Sequence, residues 1–199
     1  MRYYCELTLL PNEEVDIYFL WSKVFKQVHL GLVERQDEQK QSAIGVTFPQ
    51  YKQEARFSTL GSKLRLFAPT QAELEAFNLR QWLARLTDYV HISSIKAVPE
   101  TIKGHVICQR VQPKTGKDRL VKRYMKRHQG VTHEQALAHY RDFVDEQLVL
   151  PFVQLQSLSS GQFFRVWIEQ KSVSSANDGL FSCYGLSTET TLPDRKSVV

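Results

Sequence analysis

The sequence predicts an α+β fold in which an N-terminal domain of alternating strands and helices precedes a smaller α/β domain with an Arg/Lys-rich helix. Segments of strand-type and helix-type apolar spacing alternate through the first half, which indicates the first domain. Further along, Lys and Arg recur at helical spacing, which indicates the basic helix. The 199 residues are 42% hydrophobic and 11% aromatic, which is enough for an ordered core.

The first four elements follow from local patterns. Residues 2–9 are rich in strand-forming types, and apolar residues then recur at helical spacing over residues 17–32. Residues 44–48 form a short apolar run that Pro49 ends, and residues 63–67 alternate Leu with Lys and Arg, as a half-buried strand does. The order so far is strand, helix, strand, strand.

A second helix and a fourth strand complete the pattern. Thr70 followed by Glu73 predicts a capping box for a helix over residues 71–86, and residues 90–98 predict a strand. The order βαββαβ is the ferredoxin-like pattern, an antiparallel sheet backed by two helices. We therefore expect a ferredoxin-like domain over residues 1–99. Its strands GVTF and LRLF lack the aromatic signature of an RNA-recognition motif, so this sheet is not an obvious base-stacking platform.

The second predicted domain, residues 100–199, continues after the basic segment. Thr132 with Gln135 predicts a capped helix that ends near Gln147. Strands are predicted over residues 150–156, 162–170 and 180–186. The tail after Thr188 is polar, and we expect it to be loose.

Positive charge is concentrated between Lys103 and His128. This segment holds nine of the 26 Lys and Arg residues and one acid, Asp118, so it carries about +8 while the whole chain carries +5. Each phosphate that such a surface neutralises releases counterions, so the concentration of charge favours a nucleic acid as partner.

The basic helix has two distinct faces. Five cations fall on one helical face, and four less polar residues fall opposite. The cations are Arg119, Lys122, Arg123, Lys126 and Arg127, and the opposite residues are Val121, Tyr124, Met125 and His128. An ordinary solvated charged face is the alternative, although such faces usually interleave Glu with Lys. The apolar side is too poor in Leu, Phe and Trp for a membrane anchor.

Several classes of site are not expected. Three cysteines without a CxxC motif fit a reducing compartment and argue against a disulfide framework or a zinc site. His133 begins HEQAL, which lacks the second histidine of a zinc-protease motif. We find no signal peptide and no apolar run of membrane-spanning length, so we expect a cytoplasmic protein with no metal, no cofactor and no membrane contact.

A few residues could carry chemistry on a nucleic acid, each with a structural alternative. His29 lies at the edge of an apolar helical stripe, where a buried structural histidine is about as plausible as a general base. Ser157 and Ser159 could hold a ribose hydroxyl or could merely form a turn. Arg110 and Gln112 are types that pair with guanine and adenine edges, but also ordinary surface residues.

Several motifs occur together in a recognisable order. They are IGVTFP at 44–49, RVQ at 110–112, MKRH at 125–128, PFVQLQSLSSGQFFR at 151–165 and SCYGLS at 182–187. From the first strand to Ser187 the chain resembles the repeat-RNA-processing endoribonuclease of type I-F CRISPR systems. The resemblance implies a metal-independent enzyme without a cofactor. It would bind the repeat hairpin, cut the precursor at the 3′ side of the stem by 2′-hydroxyl attack, and keep the product within a surveillance complex of further subunits.

The resemblance also implies roles for individual residues. His29 would be the general base, Ser157 would order the attacking ribose, Ser159 would support it, and Tyr184, otherwise a core strand tyrosine, would orient the histidine. The implied RNA-binding residues are Arg110, Gln112, Lys114, Arg119, Lys122, Arg123, Lys126, Arg127 and Phe164. Among them, Arg110 and Gln112 would read base pairs at the foot of the hairpin and Phe164 would stack beneath the terminal pair.

The chain departs from the family pattern in three places. The basic helix mixes Lys with Arg where the family favours Arg, the loop over residues 34–42 is long and charged, and the tail PDRKSVV has no evident counterpart. Two other classes stay open: an RNA-binding subunit that holds the hairpin without cutting it, and a DNA-binding regulator with the same fold.

Overall fold

The computed structural model of the protein describes residues 1–113, 116–143 and 148–194. The α-helices within this part are α1 (Ile17–Glu34), α2 (Gln71–Phe77), α3 (Leu79–Trp82), α4 (Lys117–Arg127) and α5 (His133–His139). The strands are β1 (Tyr3–Leu9), β2 (Gly45–Thr47), β3 (Lys52–Gln53), β4 (Ser58–Thr59), β5 (Lys63–Ala68), β6 (Val90–Ile92), β7 (Lys96–Ala97), β8 (Gly104–Val111), β9 (Phe152–Gln156), β10 (Phe163–Val173) and β11 (Leu192–Asp194). The mixed content of helices and strands agrees with the predicted class.

The first sheet is built from residues 3–97. Its strands are antiparallel in the order β2–β5–β1–β6, and β7 also pairs with β1. Cys5, Leu7 and Leu9 alternate onto the face that joins the main core with the apolar side of α1. Tyr4 and Phe67 lie on the opposite face in a smaller apolar cluster.

The second sheet is built from residues 104–194, in the antiparallel order β11–β8–β10–β9. Its inward side chains, including Val153, Val166 and Ile168, belong to the same apolar core as those of the first sheet. Helix α1 packs directly against β9. The helix that carries His29 therefore lies beside the strand that leads into Ser157.

The chain forms two compact units, residues 1–111 with 149–199, and residues 112–148. In the second unit α4 packs on α5, with Val121 and Ala136 buried. This division differs from the predicted domains 1–99 and 100–199, and the boundary near residue 100 stays a prediction.

Two predicted elements are wrong in form. The helix expected over residues 71–86 ends at Phe77, because Asn78 adopts a left-handed conformation with φ 45°, and the short α3 begins after it. Residues 180–186 form no strand but a turn, in which the Ser182 N–H donates to the Leu186 carbonyl at 2.9 Å. Only an isolated bridge between Ser42 and Phe181 resembles strand pairing there.

Other differences concern the ends of elements. The strand predicted over residues 90–98 is split into β6 and β7. The tail expected to be loose contributes β11, which pairs with β8. Helix α5 ends at His139, short of the expected Gln147, and residues 144–147 lie outside the described part. Both predicted capping boxes, at Thr70 and Thr132, are confirmed. No helix of the described chain is long and apolar enough to cross a membrane.

Candidate active site

His29 projects from the edge of the buried face of α1. Leu20, Trp21, Val24, Phe25, Val28 and Leu32 form that face. The His29 Nδ1 atom lies 2.8 Å from the carbonyl oxygen of Cys183. A carbonyl oxygen can only accept, so Nδ1 carries the hydrogen and Nε2 of the neutral ring is free to accept a proton.

The surroundings of His29 favour its neutral form. Burial lowers the pKa of His29 below its usual 6.5, and the positive charge of Arg110 lowers it further, whereas the hydrogen bond to Cys183 opposes both effects. The imidazole is thus deprotonated at neutral pH, as a general base must be before it acts.

Tyr184 stacks on His29. The two ring centroids are 4.3 Å apart and the planes differ by 11°, while the Phe25 ring lies parallel to Tyr184 at 6.4 Å. Burial raises the pKa of Tyr184, so the side chain is a neutral phenol. The stack and the hydrogen bond together hold the imidazole in one orientation.

The turn over residues 182–186 positions both partners of His29. Gly185 has φ +70°, and a Cβ at this position would lie 2.7 Å from Val46 Cγ1. The Val46 N–H donates to the Gly185 carbonyl at 2.9 Å, which attaches the turn to β2. Only glycine combines this backbone conformation with so close an approach.

Arg110, near the end of β8, contacts two aromatic rings. Its guanidinium carbon lies 5.2 Å from the Tyr184 ring centroid and 5.9 Å from that of Phe164. Its Nε atom is buried and makes no hydrogen bond within the described residues. A cleft of about 450 Å³ opens beside Arg110, Cys183 and Tyr184. The structure thus brings His29, Tyr184, Arg110 and Phe164 into one cluster.

Ser157 and Ser159 lie in the turn that follows β9. Their Oγ atoms are 3.1 Å apart, and the Ser160 N–H donates to Ser157 Oγ at 3.3 Å. The Gly161 N–H donates to the Ser157 carbonyl at 2.9 Å and closes the turn. The predicted turn is therefore present, and it also places two hydroxyls side by side.

The predicted RNA-binding helix, α4, belongs to the second unit. Its five face cations are all exposed, and Val121 on the opposite side is fully buried. Lys126 and Arg127 lie in the last turn, where the helix dipole favours positive charge. Gln112 is exposed, and Lys114 lies outside the described residues.

Some residues of the site were not identified from the sequence. Cys183 acts through its backbone carbonyl, which no side-chain pattern reveals, and Phe25 has the pattern of an ordinary core residue. Gly185, within the motif SCYGLS, is the residue from which the turn could have been predicted. The described residues contain no group of three or more His, Cys, Asp or Glu side chains that could hold a metal ion.

Comparison with known proteins assigns the chain to a family. The family model for the CRISPR-associated protein Cas_Csy4 matches residues 4–194. The chain belongs to the Csy4 family. One relative, the "CRISPR-associated endonuclease Cas6/Csy4" of Escherichia coli strain UTI89, is 35% identical over 194 residues, which cover 97% of this chain and 99% of the relative.

A second Csy4 relative is similar to the same extent. The Pseudomonas aeruginosa strain UCBPP-PA14 protein with the same description is 36% identical over 194 residues, again 97% of this chain and 99% of the relative. Among solved structures, "CRISPR associated protein Cas6" aligns over 97% of this chain and 98% of its own, with 14% identity and a TM-score of 0.34.

Proposed function

We propose that this protein binds the hairpin of CRISPR repeat RNA and cuts the precursor at the 3′ side of the stem by a metal-independent reaction. The observation that carries the proposed chemistry is the hydrogen bond from His29 Nδ1 to the Cys183 carbonyl, which leaves Nε2 as the proton acceptor. Product RNA would stay bound as the mature guide.

The class of activity follows from the family. Relatives about one third identical over almost their whole length are named CRISPR-associated endonucleases, and the family model matches nearly all of this chain. The protein is a CRISPR-associated endoribonuclease that processes repeat RNA. We propose the following mechanism and residue roles for this activity.

In the proposed reaction the RNA supplies its own nucleophile. His29 Nε2 takes the proton of the 2′-hydroxyl, and the 2′-oxygen forms a bond to the adjacent phosphorus. The bond from phosphorus to the 5′-oxygen breaks, and that oxygen takes up a proton from solvent, to which His29 then releases the proton that it took. The products are a 2′,3′-cyclic phosphate and a free 5′-hydroxyl. Ser157 would orient the attacking ribose, Ser159 would support Ser157, and Tyr184 would hold the imidazole.

Recognition would be divided between base readers and phosphate contacts. Arg110 and Gln112 would read base pairs at the foot of the hairpin, and Phe164 would stack beneath the terminal pair. Phosphate contacts would come from Lys114, Arg119, Lys122, Arg123, Lys126 and Arg127. The exposure of the five face cations of α4 supports this role, since solvated cations can reach phosphates.

We also propose that residues 1–99 form a ferredoxin-like domain and residues 100–199 a second domain. The strand order β2–β5–β1–β6 supports a ferredoxin-like arrangement of the first half. The first sheet uses only residues 3–97 and the second only residues 104–194, which supports a boundary near residue 100. A cytoplasmic location and partnership with other type I-F subunits complete the proposal.

Cleavage of repeat RNA in excess EDTA tests the proposed reaction. The protein should cut the natural RNA and leave an RNA with 2′-deoxyribose at the scissile nucleotide intact. His29→Ala should abolish cutting and bind the hairpin with nearly unchanged affinity. Absence of cutting by the wild-type protein would favour a non-cleaving subunit. Equal affinity for duplex DNA and hairpin RNA in a salt titration would favour a DNA-binding regulator.

A further inference from the structure

The second sheet carries an unusual outward surface. Along β9 and β10, side chains alternate between the core and the opposite face, and the outward ones are aromatic, amide or cationic. We call this surface the aromatic face. It comprises Phe152, Gln154, Gln156, Phe163, Arg165 and Trp167.

The rings of the aromatic face are close to one another and to a cation. Phe152 and Trp167 have ring centroids 4.7 Å apart. The guanidinium carbon of Arg165 lies 4.6 Å from the Phe152 centroid and 5.8 Å from that of Trp167. Phe163, two positions before Arg165 on the same face, is 67% exposed.

Among the described residues, Phe152 and Trp167 are partly buried against each other, but packing does not explain the exposed Phe163 and Arg165. The inward residues of the same strands, Val153, Leu155, Val166 and Ile168, are at most 3% exposed and already fill the core. A solvated strand face is usually polar, and an exposed phenylalanine there gains nothing from the fold. Phe163 and Arg165 on the aromatic face are therefore exposed to a ligand.

The chemistry of this face suits unpaired bases. Aromatic rings and the plane of a guanidinium both stack on bases, and amide side chains can hydrogen-bond to base edges. Arg165 makes no ion pair with a carboxylate among the described residues. The nearby Glu169 is engaged by Lys171 at 2.9 Å and by Gln109 at 2.6 Å, so its charge is compensated.

The aromatic face begins at the turn that carries Ser157 and Ser159, on the opposite side of the sheet from Phe164. Phe163 is the register partner of Gln156, the residue directly before Ser157. Ser157 and Ser159 occupy the turn that joins β9 to β10. RNA that passes from Ser157 and Ser159 around this turn would meet Phe163 first and Arg165 next.

We propose that the aromatic face binds single-stranded RNA that flanks the repeat hairpin, holding two or three bases on Phe163, Arg165 and the Phe152–Trp167 pair. The inference rests on the proposed function, because the hairpin places the flanking strand next to the turn. A flanking strand held here would enter or leave the site in a defined path. The cation and the continuity with the serine turn favour RNA over a protein occupant.

Binding measurements with the full-length protein test this inference. The RNAs are a hairpin with 2′-deoxyribose at the scissile nucleotide, alone or with a short single-stranded extension on the 3′ or the 5′ side. Wild-type protein should bind one of the two extended hairpins, the 3′-extended or the 5′-extended RNA, roughly tenfold more tightly than the bare hairpin. The double variant Phe163→Ala, Arg165→Gln should lose this gain and keep its affinity for the bare hairpin.

The chain offers a matched control. Arg56 and Phe57 are an exposed cation and an exposed phenylalanine outside the second sheet, and Arg56→Gln, Phe57→Ala should retain the gain. Equal wild-type affinity for bare and both extended hairpins, or a gain that survives in the Phe163–Arg165 variant, would overturn the proposal. The proposal would also be overturned if the Phe163–Arg165 variant bound every RNA as tightly as wild type but failed to assemble into a protein complex. That result would assign the face to a protein partner.

A second measurement separates this inference from the proposed function. A single-stranded oligonucleotide without a hairpin should quench wild-type tryptophan fluorescence, and Trp167→Phe should remove most of the quenching, because Trp21 is buried and Trp82 lies outside this sheet. Quenching without hairpin binding would support the aromatic face and contradict the proposed function. If the protein cleaves the hairpin but shows neither an affinity gain from the extensions nor quenching, the proposed function is supported and the role of the aromatic face is contradicted.

Discussion

The imidazole of His29 lies flat against the phenol ring of Tyr184, with 4.3 Å between centroids and 11° between planes. The same imidazole donates to the carbonyl of Cys183, the residue before Tyr184. Two consecutive residues of one turn therefore hold the ring, one by its edge and one by its face. This arrangement relates the proposed base to a short segment far along the chain.

The stack predicts different effects for two substitutions of Tyr184. Tyr184→Phe keeps an aromatic ring against His29, so single-turnover cleavage should stay within about threefold of wild type. Tyr184→Leu removes the stack, which is worth about 0.5–1.5 kcal/mol, and cleavage should slow by up to about tenfold. Both variants should bind the hairpin as wild type does. Equal slowing in the two variants would show that the hydroxyl group, not the ring, is required.

The pKa of His29 predicts the acid limb of the pH–rate profile. Burial and the Arg110 charge lower this pKa below 6.5. Because the base acts when deprotonated, activity should persist below pH 6.5 and should decline only as the pH falls through the lowered pKa of His29. Arg110→Gln removes a positive charge, which should raise the pKa and move the acid limb to higher pH. Arg110→Lys keeps the charge and should move it less.

Single-turnover rates at saturating protein measure this effect separately from binding, because Arg110 is also a proposed base reader. An acid limb that does not move in Arg110→Gln would mean that the guanidinium charge does not act on His29.

Gly185 is predicted to be intolerant of substitution. In Gly185→Ala the backbone strain at φ +70° adds to a contact of 2.7 Å with Val46, so the turn should move, Tm should fall, and cleavage should decrease at least tenfold. Gly130→Ala is the matched control, since Gly130 has φ +84° but open space around its Cβ position. A Gly185→Ala protein with the Tm and cleavage rate of Gly130→Ala would contradict the proposed role of the turn.

The cations of α4 predict a salt-dependent contribution to binding. Lys122→Gln with Arg123→Gln should weaken binding to many RNAs alike and reduce the slope of log affinity against log salt by roughly 1.5. Gln112→Ala should mainly relax discrimination at one base pair. Lys52→Gln with Arg56→Gln removes two exposed cations elsewhere and should change the slope little. Salt-titrated binding to matched and mismatched hairpins gives both quantities, and a reversed pattern would mean that the roles are exchanged.

Local sequence signals predicted local structure well. The capping boxes at Thr70 and Thr132 and the apolar stripe of α1 are confirmed because each depends on residues within one or two turns. The break at Asn78 was not predicted, since Asn is tolerated within a helical pattern but can also adopt the left-handed conformation. Strand β11 was not predicted because its pairing depends on β8, nearly ninety residues away.

The sequence by itself determined the amphipathic basic helix, the alternation of strands and helices, and the motifs that carry the family resemblance, because spacing and charge are properties of short segments. It left His29 equally open to a structural and a catalytic role. Only the tertiary structure decided that His29 meets the Cys183 carbonyl and the Tyr184 ring. Cys183 lies 154 residues after His29 in the sequence. Burial, tautomer and ring orientation depend on how α1 and the 182–186 turn pack, and no local pattern specifies that packing.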